Sequence, residues 1–224
     1  MPAPRPSSRL LLAALALLLG AWLATTGGGT TAGIDRLDRS ILLALRAPGD
    51  AADPLGPSWL EQAVRDVTAL GSVTLLATMT LAVSLYLALA GRPRAALYAL
   101  LVFAGSGILV QLLKHAFSRA RPDIVPHAMQ VLGWSFPSGH SLMSTATLLT
   151  LGALLGAGRE RRALRLYFLG LGATFAFAVG ASRVYLGVHW PTDVVAGWLA
   201  GGAWAALCWR AGVWLGVEGR SADG

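Results

Sequence analysis

The sequence predicts an all-α integral membrane bundle of six transmembrane helices, with short interfacial helices between the first two spans. Three observations carry that prediction. Hydrophobic residues are 55% of the 224 and charged residues only 13%, whereas a soluble domain has about 25% charged residues. Mean hydropathy is positive, at +0.60. Six apolar stretches approach the roughly 20 residues that a helix needs to cross a bilayer.

In chain order the spans fall at about 10–26, 67–90, 95–117, 141–157, 164–184 and 192–215. Glycine, serine and threonine recur inside them, as in Gly105-Ser106-Gly107 and at Gly170 and Gly172. Such small residues let membrane helices approach closely and would also permit a homo-oligomer. The first span follows Arg5 and Arg9 and has the layout of a signal peptide, but no small-x-small cleavage site follows it, so it is expected to be retained. Residues 27–66 are the least apolar stretch. They mix Asp35, Arg36, Asp38 and Arg39 with Ile41, Leu42, Leu43 and Leu45, and a second such piece starts near Ser58. This pattern predicts short amphipathic helices at the membrane surface, forming either a solvated connector or a lid over the lipid's approach.

The net charge of +7 does not indicate nucleic acid, because the basic residues are scattered between apolar runs and form no stripe. They do orient the bundle. Arg5, Arg9, Arg92, Arg94, Arg159, Arg161, Arg162, Arg165, Arg210 and Arg220 fall in segments on one side. The positive-inside rule places that side, with both termini, in the cytoplasm. Cys208 has no internal disulfide partner and reads as a small buried hydrophobe. No soluble accessory domain is apparent, so 1–224 reads as a single membrane-embedded domain.

Three polar clusters fall on the opposite side. The first is Lys114 with Arg121-Pro122, two helical turns apart, and Pro122 ends the third span near Arg121. Lys114 is the only lysine in the chain. Arg119, between them, reads as an interface anchor or lipid headgroup contact. The second cluster is Pro137-Ser138-Gly139-His140. Ser138 suits the N-cap of the fourth span, and a helix N-terminus is a ready anion site, with His140 in its first turn. Ser144 and Thr147 share the face of His140 and are expected to make interhelical hydrogen bonds. The third cluster is Ser182-Arg183 with His189 and Asp193. Pro191 suits the first turn of the sixth span, and a carboxylate four residues after a histidine can orient the imidazole and leave its other nitrogen free to attack. His115 reads as structural. His127 lies with Asp123, Met129 and Trp134 in a loop that borders the substrate's approach, and Trp134 also suits an interfacial aromatic belt.

The pattern Lys114-x6-Arg121-Pro122, Pro137-Ser138-Gly139-His140, Ser182-Arg183-x5-His189-x3-Asp193 resembles the full signature of the type 2 phosphatidic acid phosphatase superfamily. The resemblance implies that His189 attacks phosphorus and forms a phosphohistidine, with Asp193 as its orienter. It implies that His140 protonates the leaving group and then activates water. Lys114, Arg121 and Arg183 would clamp the phosphate oxygens, joined by Ser138 and the backbone N–H of Gly139. The implied protein is a phosphatase of the bacterial inner membrane whose site faces the periplasm. Its partners would be the bilayer and a lipid phosphate or diphosphate such as undecaprenyl diphosphate, phosphatidylglycerophosphate, phosphatidic acid or lipid A 1-phosphate.

Two alternatives use the same residues. One is phosphotransfer from the phosphohistidine to an acceptor other than water. The other is a non-enzymatic transporter or lipid-binding protein, although a transporter's polar groups belong near the bilayer midplane and not at helix ends. The resemblance extends to vanadium-dependent haloperoxidases, which are soluble and therefore poorly matched by six apolar spans.

Phosphoryl transfer depends on positioning and on neutralising the equatorial oxygens. Three cations and a helix N-terminus can do that, and no outer-face carboxylate cluster offers itself to Mg²⁺. No metal or cofactor is therefore expected. Turnover is predicted to persist in excess EDTA, and loss that only Mg²⁺ restores would break the scheme.

Overall fold

The computed structural model describes residues 32–129, 133–157 and 161–214. The expected first span, 10–26, lies outside them. The other five expected segments are helical over their described residues, except that 67–90 is broken into two helices at 70–72. In chain order the elements are α1 (Ala32–Ala44), β1 (Arg46–Ala47), β2 (Asp50–Pro54), α2 (Ser58–Ala69), α3 (Val73–Leu89), α4 (Pro93–Phe117), α5 (Gly139–Gly156), α6 (Arg162–Tyr185) and α7 (Pro191–Trp214).

Local chemistry accounts for the boundaries. Ser72 caps α3 by accepting from the Leu75 N–H at 3.2 Å, and Ser138 caps α5. Pro93 and Pro191 open α4 and α7, where a missing N–H costs nothing. Helix α4 ends at Ser118, which takes the left-handed conformation with φ 45°.

The connector corrects the all-α expectation in one detail. Helices α1 and α2 stand where amphipathic helices were expected, but an antiparallel two-stranded ribbon lies between them. Its turn is Pro48-Gly49, and Gly49 has φ +85°. Few residues other than glycine accept that geometry at low cost. Arg46 in β1 fixes the ribbon to the bundle by donating to the Tyr185 carbonyl at 2.9 Å.

Helix α5 is the axis of the fold. Thirteen of its eighteen residues are buried, including Ser141, Ser144, Thr145, Thr147 and Thr150. It packs on α4, α6 and α7. This explains why α5 can carry five buried hydroxyl side chains: it faces protein, so lipid does not select them. Two described helices, α4 and α6, are long and apolar enough to cross a membrane. A third crossing results if α2 and α3, bent by 52° at their junction, form one broken span.

Close packing around α5 depends on glycine. A Cβ at Gly172 would lie 2.6 Å from the Leu148 carbonyl oxygen, and one at Gly152 would lie 2.6 Å from that of Phe168. The two glycines face each other's helices, so α5 and α6 meet backbone to backbone. At one end of the bundle Arg92 donates to the Leu154 carbonyl at 3.3 Å, and Gly212 abuts Tyr98. The start of α4, the end of α5 and the end of α7 therefore share that end, which also holds Arg94 and Arg165. The three polar clusters are gathered at the other.

Gly172→Ala is expected to destabilise the bundle by about 1–3 kcal/mol, the range for overpacking a fitted contact. Gly170→Ala, where a Cβ meets nothing within 4 Å, is expected to leave stability unchanged. Thermal unfolding of both variants in detergent checks the contrast.

Candidate active site

The end of α4, the start of α5, the end of α6 and the α6–α7 connector deliver the side chains to one place. The backbone joins the second and third clusters, since the Ser138 N–H donates to the Asp193 carbonyl at 3.0 Å. The first and second meet where a Cβ on Gly139 would lie 3.3 Å from Val110 and 3.9 Å from the Lys114 side chain. The first and third meet where Arg121 Nη1 lies 3.2 Å from His189 Nε2. His140 lies within electrostatic reach of Arg183, His189, Arg121 and Lys114. Its ring would be 3.2 Å from a Cβ at Gly71, in the turn between α2 and α3.

His189 is 2% exposed and Asp193 fully buried. Asp193 Oδ2 lies 3.5 Å from His189 Nδ1, at the outer edge of a hydrogen bond. Ser135 supports both, since its hydroxyl donates to Asp193 Oδ2 and lies 3.3 Å from Nδ1. The Trp190 N–H also donates to Oδ2, at 3.0 Å. The neighbours decide the tautomer. A guanidinium can only donate, so Nε2 beside Arg121 is the unprotonated nitrogen, and Nδ1 facing the carboxylate carries the proton. Burial pushes the imidazole below its ordinary value of 6.5, Asp193 opposes that, and the Arg183 and Arg121 charges reinforce it. His189 is therefore neutral at pH 7, with its lone pair facing the cations.

Two of those cations, Arg121 and Lys114, are held by carbonyl groups. Arg121 donates to the Val188 carbonyl at 2.7 Å and to that of Gly133 at 3.1 Å. Lys114 donates to the Trp134 carbonyl. Arg183, 2% exposed, donates to the Thr68 hydroxyl at 3.1 Å and lies 3.0 Å from the Met129 sulfur. Its Nε is buried without a partner among the described residues. Ser138 is used as the expected cap, accepting from the Ser141 N–H at 3.4 Å and the Ser141 hydroxyl at 2.9 Å.

Several readings change. Arg119 is not an interface anchor: its guanidinium bridges two buried carboxylates, Asp38 at 2.8 Å and Asp193 at 2.7 Å. Burying both carboxylates in the absence of a cation would be prohibitive, which is why it points inward. Ser144 bonds within its own helix, to the Ser141 carbonyl at 3.3 Å, and the Thr147 hydroxyl has no partner among the described residues. His115 and His127 bond to local carbonyls, at 2.7 Å each. Ser135, Thr68 and Asp38 escaped sequence reasoning. Ser135, two residues before Pro137, sits close enough to the second motif to have been considered. Thr68 and Asp38 come from segments far away in sequence.

The model of the PAP2 superfamily matches residues 95–216. Phosphatidylglycerophosphatase B of Bacillus subtilis is 30% identical over 146 residues, covering 64% of this chain and 70% of that protein. Lipid A 1-phosphatase of Rhizobium johnstonii is 39% identical over 114 residues, which is 46% of this chain and 41% of that one. The crystal structure of a transmembrane PAP2 type phosphatidylglycerolphosphate phosphatase from Bacillus subtilis superposes with a TM-score of 0.81 at 25% identity. The match covers 91% of this chain and 96% of that one.

Asp193→Asn places an amide among donors that each require an acceptor and leaves Arg119 short of one carboxylate. It is expected to cost about 3 kcal/mol, as for one partner lost from a buried ion pair. At this chain length that corresponds to roughly 6–12 °C in apparent Tm, measurable by thermal unfolding in detergent.

Proposed function

The chain belongs to the PAP2 superfamily, and on that premise we propose that it is a membrane-embedded phosphatase that hydrolyses a lipid phosphate or diphosphate through a phosphohistidine on His189. The observation that carries this reading is the placement of His189: one ring nitrogen faces a buried carboxylate and the other faces Arg121, with Arg183 and Lys114 nearby.

In the first step the Nε2 lone pair attacks phosphorus, the phosphorus–oxygen bond to the lipid breaks, and His140 gives its proton to the departing oxygen. The phosphorylated imidazole retains its Nδ1 proton and becomes cationic, which Asp193 stabilises. In the second step His140 accepts a proton from water, the water oxygen attacks phosphorus, and the nitrogen–phosphorus bond breaks. Phosphate leaves and His189 returns neutral. Arg121, Arg183 and Lys114 neutralise the equatorial oxygens, and the N-terminus of α5 at Gly139 supplies backbone N–H groups. Ser138 serves by holding that helix start. The same cations suffice without a metal ion.

Relatives act on lipid phosphates, as their names state, and phosphatidylglycerophosphate is the first substrate to test because that relative is matched over the greater part of its length. The positive-inside rule favours a periplasmic or exterior site.

Three outcomes check this reading. Phosphate release from a panel of lipid mono- and diphosphates should be abolished in His189→Ala, with loss of a covalent phosphoenzyme in rapid-quench experiments. Because neutral His189 is the competent form and its pKa is lowered, activity should hold as pH falls through 6.5 and decline only below it. An acid limb of kcat/KM centred above 6.5 would contradict the assignment. In a Cys208→Ala background, cysteine at the exposed positions Ala51 and Ala163 should react with a membrane-impermeant maleimide on intact cells at 51 only. Labelling at 163 instead would reverse the topology.

A further inference from the structure

We propose that Asp38 and Arg119 are positioning residues for the nucleophile: with Asp193 they form a buried carboxylate–guanidinium–carboxylate set that fixes which oxygen faces His189 and keeps one negative charge available to it. This rests on the phosphohistidine reading above and adds two residues to it. One of them, in α1, lies outside the residues that the family model matches.

The geometry closes on itself. Arg119 Nη1 donates to Asp193 Oδ1 and to the Thr192 hydroxyl, each at 2.7 Å, and Nη2 donates to Asp38 Oδ2 at 2.8 Å. Asp38 is fully buried. It accepts from the Thr192 N–H at 3.0 Å and from the Thr192 hydroxyl at 2.6 Å, so α1 grips the first turn of α7. The guanidinium lies 5.5 Å from the Trp190 ring centroid, and Arg39 lies 5.9 Å from it, within cation–π range. The Trp190 indole donates to the Ala120 carbonyl at 3.1 Å.

This arrangement solves two problems. A carboxylate can turn about its last torsion, and holding Oδ1 with Arg119 commits Oδ2 to the side of His189, Ser135 and the Trp190 N–H. Arg119 alone would also neutralise Asp193 and weaken its hold on a cationic imidazole. The second carboxylate, Asp38, offsets that, so the three groups sum to one negative charge. The other charged or titratable groups near His189 are Arg121 after α4, Arg183 on α6, His140 on α5 and, beside Asp193, Lys114 on α4. All of them stay in place in the variants below.

Charge arithmetic gives opposite signs for the two single substitutions. Asp38→Asn leaves the set neutral, so the acid limb of kcat/KM should move to lower pH by about half a unit. The same variant should lose about tenfold in kcat with KM unchanged within about twofold, because the support lost belongs to the cationic intermediate. Arg119→Gln leaves two negative charges and should move the limb to higher pH. The Asp38→Asn/Arg119→Gln double variant restores one negative charge and should bring the limb back to the wild-type position. A purely structural role would loosen the pocket and shift every variant toward the ordinary imidazole value.

The experiment uses the full chain in detergent with phosphatidic acid micelles as the probe. Ring-nitrogen NMR titration of His189 runs in parallel. The chain has only four histidines, so His189 is identified by its absence in His189→Ala. Shifts of opposite sign in the two single variants support the proposal. Shifts of the same sign, or none, overturn it. If the wild type releases no phosphate from any lipid of the panel, or His189→Ala still does, the phosphatase reading fails, and the NMR titration still decides the positioning claim. Asn is isosteric with Asp, so Asp38→Asn carries the test if Arg119→Gln does not fold.

Discussion

Charge burial at one end of the bundle governs everything built there. A carboxylate taken out of water needs a cation and further donors. Asp193 sits at 0% exposure with Arg119, Ser135 and the Trp190 N–H around it. Satisfying it recruits a helix from the N-terminal connector, the loop after α4 and the start of α7. The same demand sets the order of construction: the imidazole is oriented by a carboxylate that is itself oriented. The free energy that holds His189 in place is thus spread over groups several elements apart in sequence.

The helices that carry this load are positioned by small residues. Helix α5 contributes hydroxyls and glycines and is covered on most sides, while α4 and α6 carry the lipid-compatible apolar surface. Exposed residues such as Leu101, Ile108, Leu112 and Phe177 mark that outer surface. Buried hydroxyls on the inner helix and exposed apolar side chains on the outer ones resolve the conflict between a charged site and an apolar surrounding. They also put His140 on the most rigidly packed element.

Much of the site could be read from the chain because its residues come in short runs. Lys114, Arg121, Ser138, His140, Arg183, His189 and Asp193 fall in three runs whose internal spacing reflects local geometry. Helix ends were legible for the same reason, as at Ser138 and Pro191. Tertiary partners left no such trace. Arg119 looks like any arginine near a helix end, and its role depends on Asp38, 81 residues earlier. Thr68 is one threonine among many until α2 folds over Arg183. The ribbon at Arg46 to Pro54 was hidden because its strands are two and five residues long, too short for alternation to register, although Pro48-Gly49 is a turn signal. Span counting from hydropathy also treats all helices as lipid-facing, and α5 shows why a buried helix need not be.

The carbonyl groups that hold Lys114 and Arg121 have an energetic corollary. These cations donate to the Trp134, Gly133 and Val188 carbonyls. On the proposed reading, a phosphate must replace these contacts, so only the difference between the two sets appears as affinity. Inorganic phosphate, which lacks an acyl or prenyl tail to bury, receives little beyond that difference. On the proposed reading, released phosphate is therefore held only weakly and leaves readily.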